Sequence, residues 1–297
     1  MDAAPYDFCR SVFLKLPEIC SSYHKILEDV PGDWGAAAKF ARKTIRRLNV
    51  VIQMDFLPWK YEIKDKDTRA TYTIDEMMAF DPNYLSIHEI EITMDEYLEH
   101  ELTQEKALGR FLPFLCEHID DKDNRLHLDA RIPDEALQIL QNESKIKFFV
   151  LYGHKDIYKD FLEHKLDTIT PLKLVLYRWW EEELVDKIEE KFLAGELTYY
   201  IASETNLFID IQMAVNIINY FKETRGKKEF YLDATKKFNY KQLEPYVHGL
   251  EYKFLKDEGG EFTRRIYTLP GTAKKLQIIK HCVPWNSPNN ISFNVSH

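Results

Sequence analysis

The chain has 297 residues, 45% of them hydrophobic and 13% aromatic, and carries a formal net charge of −9. That apolar content excludes a disordered chain, and only 10 Gly and 12 Pro exclude collagen-like and low-complexity classes. The acidic balance argues against nucleic acid as the main ligand, since such binding rests on Lys and Arg neutralising phosphates, and at about 100–200 residues per domain the length suggests one or two domains.

Residues 5–28 carry a helical pattern. Phe8, Val12, Phe13 and Leu16 fall on one apolar face, and Asp2 and Asp7 lie where a helix dipole favours negative charge. Pro17 is expected to end or kink this helix, with a second piece through Tyr23, Ile26 and Leu27. The opening residues lack the basic and apolar regions of a secretion signal. The longest apolar runs, such as 148–152, fall far short of the roughly 20 residues a membrane helix needs. A cytoplasmic or nuclear protein without a membrane partner is therefore expected. Pro31-Gly32-Asp33 reads as a turn, and Asp33 as the cap of a helix over 34–48 that bears the basic cluster Arg42, Lys43, Arg46 and Arg47. Residues 1–48 thus form a first, helical module.

Residues 49–119 read as a mixed β/α connecting region. Strands are expected at 49–53, 61–63, 70–74 and 86–93, where β-branched and aromatic residues alternate with polar ones. Asp95 is expected to cap a helix over 96–102, and a further helix covers 104–119.

Residues 120–280 are the most regular part. Short apolar strands at 126–128, 147–152, 173–177, 198–202, 229–232 and 251–255 alternate with helical stretches near 133–142, 155–165, 181–193, 208–224 and 239–247. Strand markers Leu128, Phe149, Leu174, Tyr199, Phe230 and Tyr252 recur every 21 to 31 residues. One strand and one helix per unit at that period fit a leucine-rich-repeat-like curved parallel sheet, and also an ordinary wound α/β sheet. The short period favours the solenoid, although the consensus Asn is missing. A hairpin is expected to join the strand at 251–255 to one at 262–269, and residues 281–297, rich in Asn, Ser and Pro, read as a flexible tail. The fold class is α/β.

Chemistry-bearing motifs are sparse. Cys9, Cys20, Cys116 and Cys282 form no CxxC pair, and no phosphate-binding glycine motif, HExxH or GxSxG is present. The densest set of metal-type ligands, His100, Cys116, His118, Asp120 and Asp121, lacks the spacing of a zinc site. The run Glu181-Glu182-Glu183 suits the start of a helix, and Asp129 and Asp233, at strand ends, suit caps. Of Trp179 and Trp180 one is expected in the core; an exposed one would mark an interface. No catalytic residue, cofactor site or metal site is expected.

Pro5, Phe8, Val12, Phe13 and Leu16 stand at offsets 0, 3, 7, 8 and 11, and Trp34 follows 29 residues after Pro5. This segment resembles the first half of an F-box, and the layout of the chain is similar to the nematode-expanded F-box-like proteins. The resemblance implies that Pro5, Phe8, Val12, Phe13 and Leu16 dock on the adaptor protein of a cullin-type ubiquitin ligase. It also implies that the strand–helix region receives an unknown client protein. The expected function is a non-enzymatic interaction adaptor. The alternatives are an interaction scaffold whose N-terminal helices are a structural cap, and an enzyme on a wound sheet with a deep pocket at the strand C-terminal ends.

Overall fold

The computed structural model describes residues 5–15, 29, 31–94, 97–120, 124–153, 158–181, 183–202, 205–256, 262–281 and 290–296. Leu16, Pro17, the helical piece through Tyr23, Asp95 and the hairpin turn at 257–260 lie outside them. The chain divides into two compact units, 1–146 and 147–297.

In the first unit, helices α1 (Tyr6–Lys15) and α2 (Asp33–Thr44) pack against each other. Cys9 on α1 is wholly buried with Ala37, Ala38 and Ala41 of α2. These small side chains let the two backbones approach closely. Gly32 precedes α2 at φ 84°, a left-handed conformation open to glycine without strain. The helix stops at Thr44 because Ile45 turns extended, and β1 (Arg46–Gln53) follows. Arg46 and Arg47 therefore lie on a strand, which corrects the reading of one basic helix. Arg47 is buried and reaches Asp67 at 3.7 Å. The Val50-Val51-Ile52 run prefers a pleated, half-buried strand to a helix.

The chain continues through β2 (Trp59–Asp65), β3 (Thr71–Tyr72) and helix α3 (Ile74–Met78), then β4 (Leu85–Thr93) and β5 (His100–Leu102). Thr73 caps α3 in a reciprocal pair with Glu76, which cuts short the strand expected over 70–74. The helix expected over 96–102 does not form either: His100–Leu102 pairs with β2. Helix α4 runs through Gln104–Lys106, a π-helical turn Ala107–Phe111 and Leu112–Glu117, followed by β6 (Arg125–Leu128) and α5 (Asp134–Asn142). Strands stand in the order β6-β4-β1-β2-β3, with β5 also on β2; β6, β4 and β1 pair in parallel, and β2 pairs antiparallel with β1, β3 and β5.

The second unit holds β7 (Phe148–Gly153), α6 (Lys159–Thr168), β8 (Leu172–Arg178), α7 (Glu183–Leu193), β9 (Leu197–Ala202), β10 (Phe208–Ile209), α8 (Ile211–Thr224) and β11 (Phe230–Lys236). It closes with β12 (Glu251–Lys256), β13 (Phe262–Thr268), β14 (Lys275–His281) and β15 (Asn290–Ser296). The strand order is β7-β8-β9-β11-β15-β14-β13-β12, with β10 beside β11. The first four are parallel and join neighbours in sequence; the rest are antiparallel. The fold is thus mixed α/β. The strand at 251–255 is present but extends a meander rather than a parallel repeat, and the helix expected over 239–247 is a single 3-10 turn, Tyr240–Leu243. Residues 290–296, expected to be flexible, form β15 between β11 and β14. Their odd positions Ile291, Phe293 and Val295 are buried core.

Helices α6, α7 and α8 lie side by side. Phe149 of β7 meets Phe161 of α6 at 5.9 Å, and Phe230 of β11 meets Phe192 of α7 at 4.6 Å. That fixes which strand parity faces the helices. Buried Leu151, Leu174, Leu176, Tyr200 and Leu232 share it. No helix among the described residues is long and apolar enough to cross a membrane.

Candidate interaction surfaces

Of the five predicted docking residues, the structure brings three together on or beside α1. Pro5 is exposed, and its carbonyl accepts the amide hydrogens of Phe8 and Cys9 at 3.0 and 3.1 Å, closing the first turn. Phe8 is 54% exposed and meets Trp34 edge-on at 6.3 Å, while Val12 is half-buried. Phe13 belongs to α1, but its side chain lies outside the description, and Leu16 lies wholly outside. The helix-to-helix seam also runs through Cys9, a residue that the apolar spacing did not single out. Arg10 lays its guanidinium over Phe40 at 4.5 Å and Tyr84 at 5.5 Å, and Phe40 meets Tyr84 at 5.8 Å. The helical pair is thereby tied to the turn that precedes β4.

A second surface was not singled out by sequence reasoning. The strand parity of the second unit that faces away from the helices carries Phe148, Val150 and Tyr152 on β7, then Lys173, Val175 and Tyr177 on β8. Tyr199 and Ile201 on β9, and Tyr231 and Asp233 on β11, continue it. Tyr152 stacks on Tyr177 at 4.5 Å and Tyr199 on Tyr231 at 5.2 Å. Arg178, at φ 65°, puts its guanidinium 5.6 Å from the Tyr152 ring. The four tyrosines are half-buried. The available signal was the aromatic recurrence at one parity across strands, which reads from sequence only once the strand register is known.

Asp233 is not a cap. It sits inside β11, 8% exposed, and its Oδ2 accepts the hydroxyls of Ser292 at 2.6 Å and Tyr231 at 3.1 Å. Burial, with the Asp233 charge adding to it, pushes the Tyr231 phenol up to about 12.

Trp180 is buried and Trp179 is 56% exposed, as the tandem pair suggested. They lie at the C-terminal ends of the parallel strands, beside Gly153. The indole of Trp180 donates to the Tyr177 carbonyl at 2.9 Å. Lys159 pairs with Glu181 and raises its own ammonium pKa through that hydrogen bond. These residues, with Tyr158 and Leu184, line a small recess. Glu183 opens α7 and Glu182 lies outside the described residues.

The His, Cys and Asp residues of the connecting region are not gathered. His100 lies against Tyr61 at 5.2 Å, Cys116 is buried, His118 stacks on Phe114 at 4.2 Å and Asp120 accepts from Ser86 at 2.9 Å. Asp121 lies outside the described residues. Among the described residues no group of three or more His, Cys, Asp or Glu could hold a metal ion. No protein-family model matches the chain, and no curated protein is significantly similar to it.

Proposed function

We propose that this chain is a non-enzymatic, intracellular protein-interaction adaptor, docking through α1 and offering to a client protein the sheet face of its second unit that lies opposite α6, α7 and α8. The observation that carries the reading is Phe8. A large apolar ring stands 54% exposed on a helix already anchored through Cys9, with only its edge contact to Trp34 described, and an exposed aromatic on an amphipathic helix is what helix-in-groove recognition uses. The F-box resemblance of Pro5, Phe8, Val12, Phe13 and Leu16 names the partner as the adaptor protein of a cullin-type ubiquitin ligase. We read β7, β8, β9 and β11 as a short leucine-rich-repeat-like arc. Sequential neighbours and side-by-side helices support that reading, and the half-buried tyrosines suit a protein client.

The test is binding of the purified chain to the ligase adaptor beside Phe8→Asp and Val12→Asp. Loss of binding of about ten-fold or more in variants with an unchanged melt supports docking. Equal binding by folded variants, or none by the wild type, sinks it. A second reading, the helical pair as a structural cap, is favoured by Arg10 and Phe40 both packing on Tyr84. It predicts that Arg10→Ala lowers the melt of the first unit and leaves adaptor binding aside.

A further inference from the structure

Strand β12 ends the strand order of the second unit, so one of its two edges carries no strand among the described residues. A free edge presents a row of backbone N–H and C=O groups that can pair with another chain, and proteins commonly blunt such edges. Here the side chains from Glu251 to Leu255 are all exposed, on both faces of the strand. Tyr252 is 53% exposed and Phe254 48%. By register they share the face of Tyr267, Leu276 and Ile278, which are buried. The core side of the sheet therefore continues past its last buried row as a half-exposed aromatic ledge, with the Arg265 guanidinium 6.0 Å from the Tyr252 ring.

By register the opposite face carries Glu251, Lys253 and Leu255 of β12, with Arg264 of β13 and Lys275 of β14, while Lys256, Arg265 and Lys280 fall on the aromatic face, so cations line the meander on both sides. In sequence, residues 251–281 hold seven Lys and Arg (253, 256, 264, 265, 274, 275 and 280) against four acids, Glu251 on β12 and Asp257, Glu258 and Glu261 between β12 and β13. The chain as a whole is at −9, so this meander is a basic edge on an acidic protein.

We propose that the β12 edge accepts an extended acidic segment of a partner protein, which adds to the sheet as a further strand. Its side chains alternate, apolar ones laid over Tyr252 and Phe254 and acidic ones turned toward Lys253 and Arg264. Main-chain hydrogen bonds supply affinity in this mode and the alternate side chains supply selection. A second copy of the chain is disfavoured, since edge-to-edge pairing would oppose two basic meanders. Single-stranded nucleic acid would meet the cations but leave the edge N–H and C=O groups without strand partners. The proposal rests on the interaction reading only for the nature of the client.

The experiment uses the full chain and a fluorescent ten-residue peptide of alternating Val and Glu, read by anisotropy with no ligase adaptor present. Binding is expected to fall about ten-fold in Lys253→Glu/Arg264→Glu and to weaken as salt rises. The same peptide N-methylated throughout keeps its charge and loses its backbone donors, and is expected not to bind. A Val/Lys peptide is expected not to bind either. Phe254→Asp, checked for an unchanged melt, is expected to weaken the apolar register. Equal binding by the N-methylated peptide, no effect of the charge reversal, tighter binding of a ten-nucleotide oligo(dT), or wild-type self-association abolished by Phe254→Asp would each overturn the proposal. Failure here leaves docking through α1 untouched, and failure of adaptor binding leaves peptide capture untouched.

Discussion

Asp233 places a carboxylate inside a sheet, 8% exposed, between the hydroxyls of Tyr231 and Ser292. A buried charge is costly unless it is hydrogen-bonded, and these two donors offset that cost. The same arrangement holds a proton on Tyr231. Its phenol is pushed up to about 12 from an ordinary 10.0, first by burial and then by Asp233. A raised phenol pKa favours the neutral form in the folded state. The resulting stability is therefore fully present below pH 10 and is lost as pH rises toward about 12. The urea midpoint of the wild type is expected to fall steeply across that window. Tyr231→Phe starts about 1 kcal/mol lower for its lost hydrogen bond and then declines less steeply. Parallel slopes would show that the Tyr231 proton is not linked to folding. In sequence, Asp233 after Tyr231 and Leu232 looks like a strand end. The strand continues through Ala234, Thr235 and Lys236, and what decides this is pairing with β15, fifty-odd residues away and invisible to local pattern.

At the scale of elements, β15 shows why parts of the fold were legible and others not. The strands at 148–153, 172–178 and 197–202 are short apolar runs between amphipathic helices, and they form where the pattern puts them. Residues 290–296 carry an equally clean alternation: Ile291, Phe293 and Val295 inward, Asn294 opposite Tyr231, Ser292 opposite Asp233. The Asn, Ser and Pro content just before it hid the period of two. Thr73 likewise ended a strand by capping α3, a local signal that β-branched composition outweighed in the reading. The docking residues on α1 were half legible. Spacing identified Phe8 and Val12 as an apolar stripe but could not say that Cys9, against three alanines, makes the seam. The position of β15 carries a prediction. Phe293 has no exposed surface and its strand bonds to β11 on one side and β14 on the other. Phe293→Ala is expected to cost about 3–5 kcal/mol, read as a drop in urea midpoint with an unchanged slope. A loss below about 1 kcal/mol would mean that residues 290–296 are not the central strand described here.

At the scale of the whole molecule, the division at 146/147 has no signal in composition. Residues 143–147, Glu-Ser-Lys-Ile-Lys, contain no Pro or Gly and look like any other loop between a helix and a strand. The boundary is a property of the three-dimensional packing alone, since strand–helix units follow each other on both sides of it. The second unit has its own parallel tract, its own helix layer and a closing meander, and its buried residues Phe149, Phe161, Phe192, Phe221 and Phe293 all lie within 147–297. A segment of about 150 residues buries enough surface to fold alone. Residues 147–297 expressed by themselves are therefore expected to give a mixed α/β circular-dichroism spectrum and one cooperative urea transition, with a slope of about 1–3 kcal/mol/M. A fragment lacking residues 290–297 is expected to lose that transition, because β11 and β14 would then face each other with no strand between them. If 147–297 showed a broad, non-cooperative melt instead, its core would depend on residues of the first unit, and the two units would be a single folding entity.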